Sequence, residues 1–180
     1  MTETVILVDA NDRPLGTQEK LAAHKTPQRH RAFSIFIFND KGETLIQRRA
    51  FGKYHSPGLW ANSCCGHPRP GEDVNEAARR RLAEELGFSC LLKPITTVCY
   101  TLKLEKNWWE LEYTHVFKGT YEGSVKANPE EVCDVRWVDL QTLQTDVQKD
   151  SRSYAKWFRL YILKHCDAIF NGPPPKVLRT

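Results

Sequence analysis

The stretch ANSCCGHPRPGEDV, residues 61–74, sets two adjacent cysteines and a histidine among turn-forming residues just ahead of a helical pattern. In that setting Cys64, Cys65 and His67 could be structural thiols, metal ligands or a reacting group. A thiol with a reference pKa of about 8.5 is largely protonated at neutral pH and can also accept a proton as thiolate. The ordinary fate of a free cysteine, however, is to be a small buried hydrophobe. Further along, Glu110 and Glu112 alternate with Leu111 and Tyr113, and on a strand that alternation turns both carboxylates to one face. Paired glutamates on a strand usually face water. Here the other face is apolar and Trp108 and Trp109 adjoin, which points the pair into an enclosed site.

A second pair of acids sits against its own helix. Glu84 and Glu85 fall in the last turn of the pattern DVNEAARRRLAEELG, where the helix dipole opposes a carboxylate by roughly 0.3–1 kcal/mol each. Arg80 and Arg81, four residues earlier, can offset this, but a base N-terminal to an acid is the less favourable order. Side chains that help neither the helix nor the fold are candidates for a cation site.

The elements that must position these groups follow from periodicity. Val74, Ala77, Ala78, Leu82 and Leu86 form one helical stripe; Asp73 with Glu76 resembles an N-cap with its reciprocal partner, and Gly87 suits the position after the last turn. A second helix is expected from about Ser153 to Phe170, with Trp157, Leu160, Tyr161 and Leu163 on its apolar face, and a short one around QEKLAAH. Strand patterns occupy 4–9, 32–38, 43–48, a stretch within 90–104, 110–118 and 133–138. NDRPLG and NDKG are the clearest turns, the second closing a hairpin, and Cys65 falls on a turn leading toward the central helix. Strands with a helix in the middle and one at the end make the class α+β, with a mixed or antiparallel sheet and flanking helices.

The chain has 180 residues, 41% hydrophobic and 27% charged, which fits one domain over 1–180 with 171–180 as an extended tail. No run of about 18 apolar residues occurs, which excludes a membrane-spanning helix. The opening MTETVILVDAND has no basic region before its short apolar run, so a cytoplasmic location is expected. The six cysteines then read as reduced thiols, and the absence of a C-x-x-C pair weakens a structural zinc site. A net charge of +4 with 22 acidic residues interspersed is too mild a bias for nucleic acid and suits an anionic small molecule.

Gly66, Glu72, Arg80, Leu82, Glu84, Glu85, Gly87 and Phe88 carry the spacing of the Nudix box, which the chain resembles at every specified position except Arg81. An acid at that position commonly serves hydrolysis. A cation there exchanges a metal ligand for a diphosphate clamp, so that the phosphate is held rather than cut. WANSCCGHP, EKLAAHK before it and WELEYTHVF after it resemble the type 1 isopentenyl-diphosphate Δ-isomerases, from about Val5 to His165.

The resemblance implies a Nudix-like fold and an enzyme of isoprenoid biosynthesis that interconverts isopentenyl and dimethylallyl diphosphate. It implies Cys65 and Glu112 as the acid/base groups, Tyr100 near the reacting atoms and Trp157 facing the cationic centre. His24, His30, His67, Glu110 and Glu112 would surround one divalent metal (Mn²⁺, Zn²⁺ or Mg²⁺); Lys20, Arg49, Lys53 and Arg81 would bind the diphosphate, and Glu85 would hold a substrate-bound Mg²⁺. Cys64 reads as packing, and His55, His115 and His165 have no assigned role. The implied partner is a small prenyl diphosphate, with neither nucleic acid nor membrane, and the chain is expected to be a monomer or weak homodimer. Two other functions stay open at this point: a Nudix hydrolase of nucleoside or prenyl diphosphates, and a non-catalytic zinc- or phosphate-binding module.

Overall fold

The segment HRAFSIFIF has almost no exposed position, and the strand it forms is covered on both faces. The computed structural model of the protein describes residues 3–171 and 177–179. In chain order the elements are β1 (Thr4–Val8), β2 (Pro14–Glu19), α1 (Lys20–Lys25), β3 (His30–Phe38), β4 (Thr44–Arg49), β5 (Trp60–Asn62) and β6 (Cys64–Gly66). They continue as α2 (Val74–Leu86), β7 (Lys93–Lys103), β8 (Trp109–Thr120), β9 (Val132–Val138), α3 (Leu140–Lys149), α4 (Lys156–Lys164) and β10 (Val177–Arg179). The sheet is mixed, with a path β10-β7-β8-β3-β1-β2; β4 and β6 also pair with β3, and β5 and β9 pair with β4.

Alternate residues of β3 serve opposite faces. Phe33, Ile35 and Ile37 pack with Leu45, Cys64, Phe117 and the α2 stripe of Ala77, Ala78, Leu82 and Leu86. Phe36 and Phe38 pack with Val98, Tyr100, Val116 and the α4 residues Trp157, Phe158 and Tyr161. The sheet is thus held between α2 on one side and α3 and α4 on the other. Double coverage explains why β3 reads as a continuous apolar run rather than an alternation.

The central helix follows its sequence closely. Asp73 accepts hydrogen bonds from the Asn75 and Glu76 amides, and Gly87 ends the helix at φ 74°, in the left-handed region that favours glycine. The expected reciprocal bond from Glu76 is replaced by an ion pair with Arg79. Arg80 reaches back to Glu72 at 2.7 and 2.9 Å, tying the loop before the helix to its middle.

Elsewhere the structure corrects the sequence reading. Cys65 lies on strand β6 rather than on a turn, because Cys64, Cys65 and Gly66 pair with Ile35, Ser34 and Phe33. The turn expected over NDRPLG ends early, and Pro14 already starts β2. The last helix is shorter than expected: α4 spans Lys156–Lys164, flanked by a 3-10 turn at Ser151–Ser153 and a π turn at Asp167–Asn171, and Leu163 is half exposed. Helix α3 was absent from the sequence reading; its apolar contribution is only Leu143 and Val147. Of the expected tail, Val177–Arg179 is extended and pairs in parallel with β7, whereas 172–176 and 180 lie outside the described residues.

A side chain at Gly66 would put its Cβ 2.8 Å from the Phe33 ring and 3.4 Å from Arg81 Cγ. Because Phe33 is fully buried and its ring cannot swing clear, Gly66→Ala should cost roughly 1–3 kcal/mol of stability, read as a lower urea midpoint at unchanged slope.

Candidate active site

Strand register brings the chemical groups together. Across β3 and β8, His30 stands opposite Glu112; across β7 and β8, Tyr100 stands opposite Glu112; across β3 and β6, Ser34 stands opposite Cys65. His30 and Ser34, four residues apart on one strand, share a face. Helix α1 adds His24, and His67 follows directly on β6. Cys65, His67, His24, Tyr100, Glu110, Glu112 and Trp157 all line one cavity, whose wall also carries Lys20, Arg49, Lys53, Arg81 and Glu85.

The histidines are prepared to bind a cation. His24 Nδ1 and His30 Nδ1 lie 2.8 Å from the carbonyls of Lys20 and Gln28, which accept their N–H bonds and leave each Nε2 with a free lone pair. Both Nε2 atoms, and Glu110 Oε2, are buried without a hydrogen-bond partner. His24, His30, His67 and Glu112 offer ligand atoms all within 4.8 Å of one another, and His24, His55 and Glu110 form a second, overlapping group. Burial lowers the pKa of His24 to about 3 and of His67 to about 4, so both rings are neutral at physiological pH, the form that ligates metal. Three imidazoles with carboxylates suit a divalent transition metal, and this donor set fits one.

The two glutamates are 4% and 6% exposed, and their environments push them apart. Glu112 is buried, which raises its pKa, but the His67 hydrogen bond and the His30 ring 3.7 Å away outweigh this and hold it well below the usual carboxylate range. Its Oε1 lies 3.3 Å from His67 Nε2, while its Oε2 accepts from Tyr100 at 2.5 Å and from Thr114 at 3.1 Å. Glu110 is raised well above its ordinary value by burial and by the neighbouring Glu112 charge.

The Cys65 thiol donates to Asn62 Oδ1 at 3.1 Å and lies 3.4 Å from Ser34 Oγ, which in turn is 3.0 Å from the Tyr161 hydroxyl. Burial pushes this thiol up to about 12, with the Ser34 and Asn62 contacts working against the shift. Cys64 points to the opposite face and is core, as its sequence setting implied.

At the mouth the cations are paired with acids. Lys20 binds Glu3 at 2.9 Å, Lys53 binds Glu131, and Arg81 binds Glu84 at 2.8 Å, Glu85 at 2.5 Å and Glu131 at 3.3 Å. Arg49 stands 5.2 Å over the Trp157 ring. Glu85 also accepts from Gln47 at 3.1 Å.

A NUDIX domain family model matches residues 28–158. The chain is 45% identical over 162 residues to an isopentenyl-diphosphate Δ-isomerase of Burkholderia multivorans, covering 90% of this chain and 92% of the relative. It is 44% identical over 168 residues to another of Serratia proteamaculans, covering 93% of both. The chain belongs to the isopentenyl-diphosphate Δ-isomerase family, within the Nudix superfamily. The fold agrees with that placement. A crystal structure of a protein from Deinococcus radiodurans matches with a TM-score of 0.73 at 19% identity, over 89% of this chain and 97% of that one. A MutT protein from Methanosarcina mazei matches at 0.61 and 23% identity, over 74% and 90%.

Every residue that the isomerase resemblance singled out therefore borders the same cavity or joins the histidine cluster around it. The sequence reading missed several neighbours. His55 enters the cluster, Ser34, Asn62 and Tyr161 surround the thiol, and Glu3 and Glu131 pair with the mouth cations. Ser34 carried a signal, being the one hydroxyl in the apolar run AFSIFIF; Glu3 and Glu131 carried none, since each depends on a distant partner.

The raised thiol has a direct consequence in metal-stripped protein. With a pKa of about 12, Cys65 is almost wholly protonated at pH 8, and its thiolate fraction grows with pH through 10 without a plateau. Alkylation followed by peptide mass spectrometry should show Cys65 far slower than exposed Cys133 at pH 8, the gap narrowing as pH rises; equal rates at pH 8 would contradict the half-buried, hydrogen-bonded thiol.

Proposed function

We propose that this chain interconverts isopentenyl and dimethylallyl diphosphate, with Cys65 and Glu112 as its two proton-transfer groups. The observation that carries this reading is that both side chains line one cavity, with a cationic mouth at its edge. Moving the double bond of an unactivated alkene requires a proton delivered to the terminal carbon and another removed from the carbon beside the diphosphate-bearing one. One proton enters and one leaves, the diphosphate stays attached, and no electrons are exchanged with an outside reagent. Whichever group donates in one direction accepts in the other, as microscopic reversibility demands.

The intermediate is a tertiary carbocation that water would capture, so the chamber must exclude water while stabilising positive charge. Trp157, 2% exposed, presents an indole wall, and an aromatic face contributes on the order of 1–2 kcal/mol to a desolvated cation. Tyr100, 3% exposed and bonded to Glu112, fixes that carboxylate and supplies a hydroxyl next to the exchanging proton. His24, His30, His67, Glu110 and Glu112 would hold one divalent metal, with Mn²⁺, Zn²⁺ or Mg²⁺ the candidates, and a bound cation would orient the Glu112 carboxyl and adjust its acidity.

Lys20, Arg49, Lys53 and Arg81 form the diphosphate cradle, where Lys20, Lys53 and Arg81 exchange their present carboxylate partners for phosphate oxygens and Arg49 adds its fork. Glu85 would carry the Mg²⁺ that accompanies the substrate. Cys64, Cys65, Cys90, Cys133 and Cys166 are free thiols, which suits the reducing cytoplasm; among the described residues no helix is long and apolar enough to cross a membrane.

Incubation of the purified protein with isopentenyl diphosphate and Mg²⁺ in D₂O should give dimethylallyl diphosphate carrying solvent deuterium and no free phosphate. Release of phosphate or a monophosphate would instead favour the hydrolase reading. Cys65→Ala should lose on the order of 10³-fold or more in kcat while still binding substrate by calorimetry, and full turnover would remove the thiol from the mechanism. Glu85→Gln should lose activity that raised Mg²⁺ partly restores; a loss indifferent to Mg²⁺ would rule out that role.

A further inference from the structure

One buried side chain beside the carboxylates has no part in the reading above. His55 is 6% exposed, and its Nε2 stands 3.6 Å from Glu110 Oε1. The other oxygen of Glu110, Oε2, is buried with no partner, and so is His55 Nδ1. Within the cluster His55 groups with His24 and Glu110.

The backbone is committed to holding the ring there. His55 lies in the turn between β4 and β5, where its carbonyl accepts from Arg49 Nη2 at 3.1 Å. Ser56 next to it is 4% exposed and adopts φ 47°, a left-handed conformation that costs a non-glycine residue about 1 kcal/mol or more. The ring itself packs between Tyr54 at 4.4 Å, Trp157 at 5.6 Å and His24 at 5.9 Å.

We propose that His55 is a positioning residue for the metal site: its imidazole N–H engages one oxygen of Glu110, so that the other oxygen is turned toward the cation. The proposal rests on the reading of Glu110 as a metal ligand. A carboxylate that binds metal through one oxygen can rotate about its side-chain torsions, and a donor on the second oxygen removes that freedom; losing such a donor typically weakens metal affinity about 10- to 100-fold. The 3.6 Å separation is longer than a formed hydrogen bond, and the proposal requires the Glu110 carboxyl to turn toward His55 when the cation binds. A bulky residue placed only to fill space would satisfy the packing against Tyr54 and Trp157 equally well, and that is the alternative to be excluded.

The test is calorimetric titration of Mn²⁺ into chelator-stripped protein, comparing the parent chain with His55→Phe, His55→Gln and Glu110→Ala. Phenylalanine keeps a flat ring without the donor, and glutamine keeps a donor without the ring. His55→Phe should bind Mn²⁺ about 10- to 100-fold more weakly, and His55→Gln should recover most of that loss. Parent-like affinity in His55→Phe overturns the proposal, as does a His55→Gln variant as weak as His55→Phe. Glu110→Ala is the separate control: unchanged Mn²⁺ binding there would sink the metal role of Glu110 itself. Circular dichroism of each metal-free variant checks folding, and His55→Leu supplies the donor-free arm should His55→Phe not fold.

Discussion

Two carboxyl groups, Glu110 and Glu112, lie two residues apart on one strand and are each less than a tenth exposed. Burying an ionised carboxylate costs several kcal/mol unless partners restore what water supplied, and two like charges side by side cost more. The interior has met this condition unevenly. Glu112 is surrounded by His30, His67, Tyr100 and Thr114 and carries the charge, while Glu110 has its Oε2 unpartnered and is pushed toward the neutral acid. A divalent cation would let both ionise at once, and the free Nε2 atoms of His24 and His30 lie where such an ion would find further ligands. The site therefore reads as an arrangement whose electrostatics are complete only with a cation.

The mouth follows the opposite logic. Lys20, Lys53 and Arg81 have side chains about one-fifth exposed, and each is already matched with Glu3, Glu131 or Glu85. Such pairs are partly screened by water, so exchanging a carboxylate for a phosphate oxygen costs little, whereas leaving the cation bare would not. On the proposed reading a charged head group would be held where solvent remains, while the hydrocarbon end would reach toward the buried Trp157 and Tyr100 and the half-buried thiol. Arg81 belongs to both regions: it extends from α2 beside Gly66 and at the same time neutralises Glu85. An acid at that position would leave Glu85 without its cation and add a like charge beside Glu84 and Glu131, which keep only Arg80 and Lys53.

Sequence periodicity carried some of this structure and not the rest, for physical reasons. The α2 stripe, its Asp73 cap and its Gly87 terminus are local and were legible, as was the shared face of Glu110 and Glu112. The family resemblance supplied His24, His30 and His67, which local pattern alone would have left as unremarkable histidines. Strand β6 was not legible, because three residues beside turn formers become a strand only through pairing with β3. Helix α3 was missed although Leu140, Leu143 and Val147 recur at helical spacing, because three apolar residues in an otherwise polar segment of ten are easily taken for a loop. His55 was invisible for a similar reason: only the folded turn after β4 brings it to Glu110.

Placing Cys65 on a strand rather than a loop bears on the chemistry. A carbocation flanked by a proton donor and acceptor tolerates little drift in either, since a misplacement of about 1 Å can cost on the order of 10²-fold in rate. Strand β3 is the common reference for both groups: Ser34 fixes Cys65 on one neighbour and His30 fixes Glu112 on the other. The distance between thiol and carboxylate is then set by the spacing of one strand's residues and not by loop conformation. Asn62 and Ser34 further hold the sulfur, and Gly66, by admitting the Phe33 ring where a side chain would stand, lets β6 lie close against β3. The precision that the reaction requires is in this way inherited from the register of the most deeply buried strand in the fold.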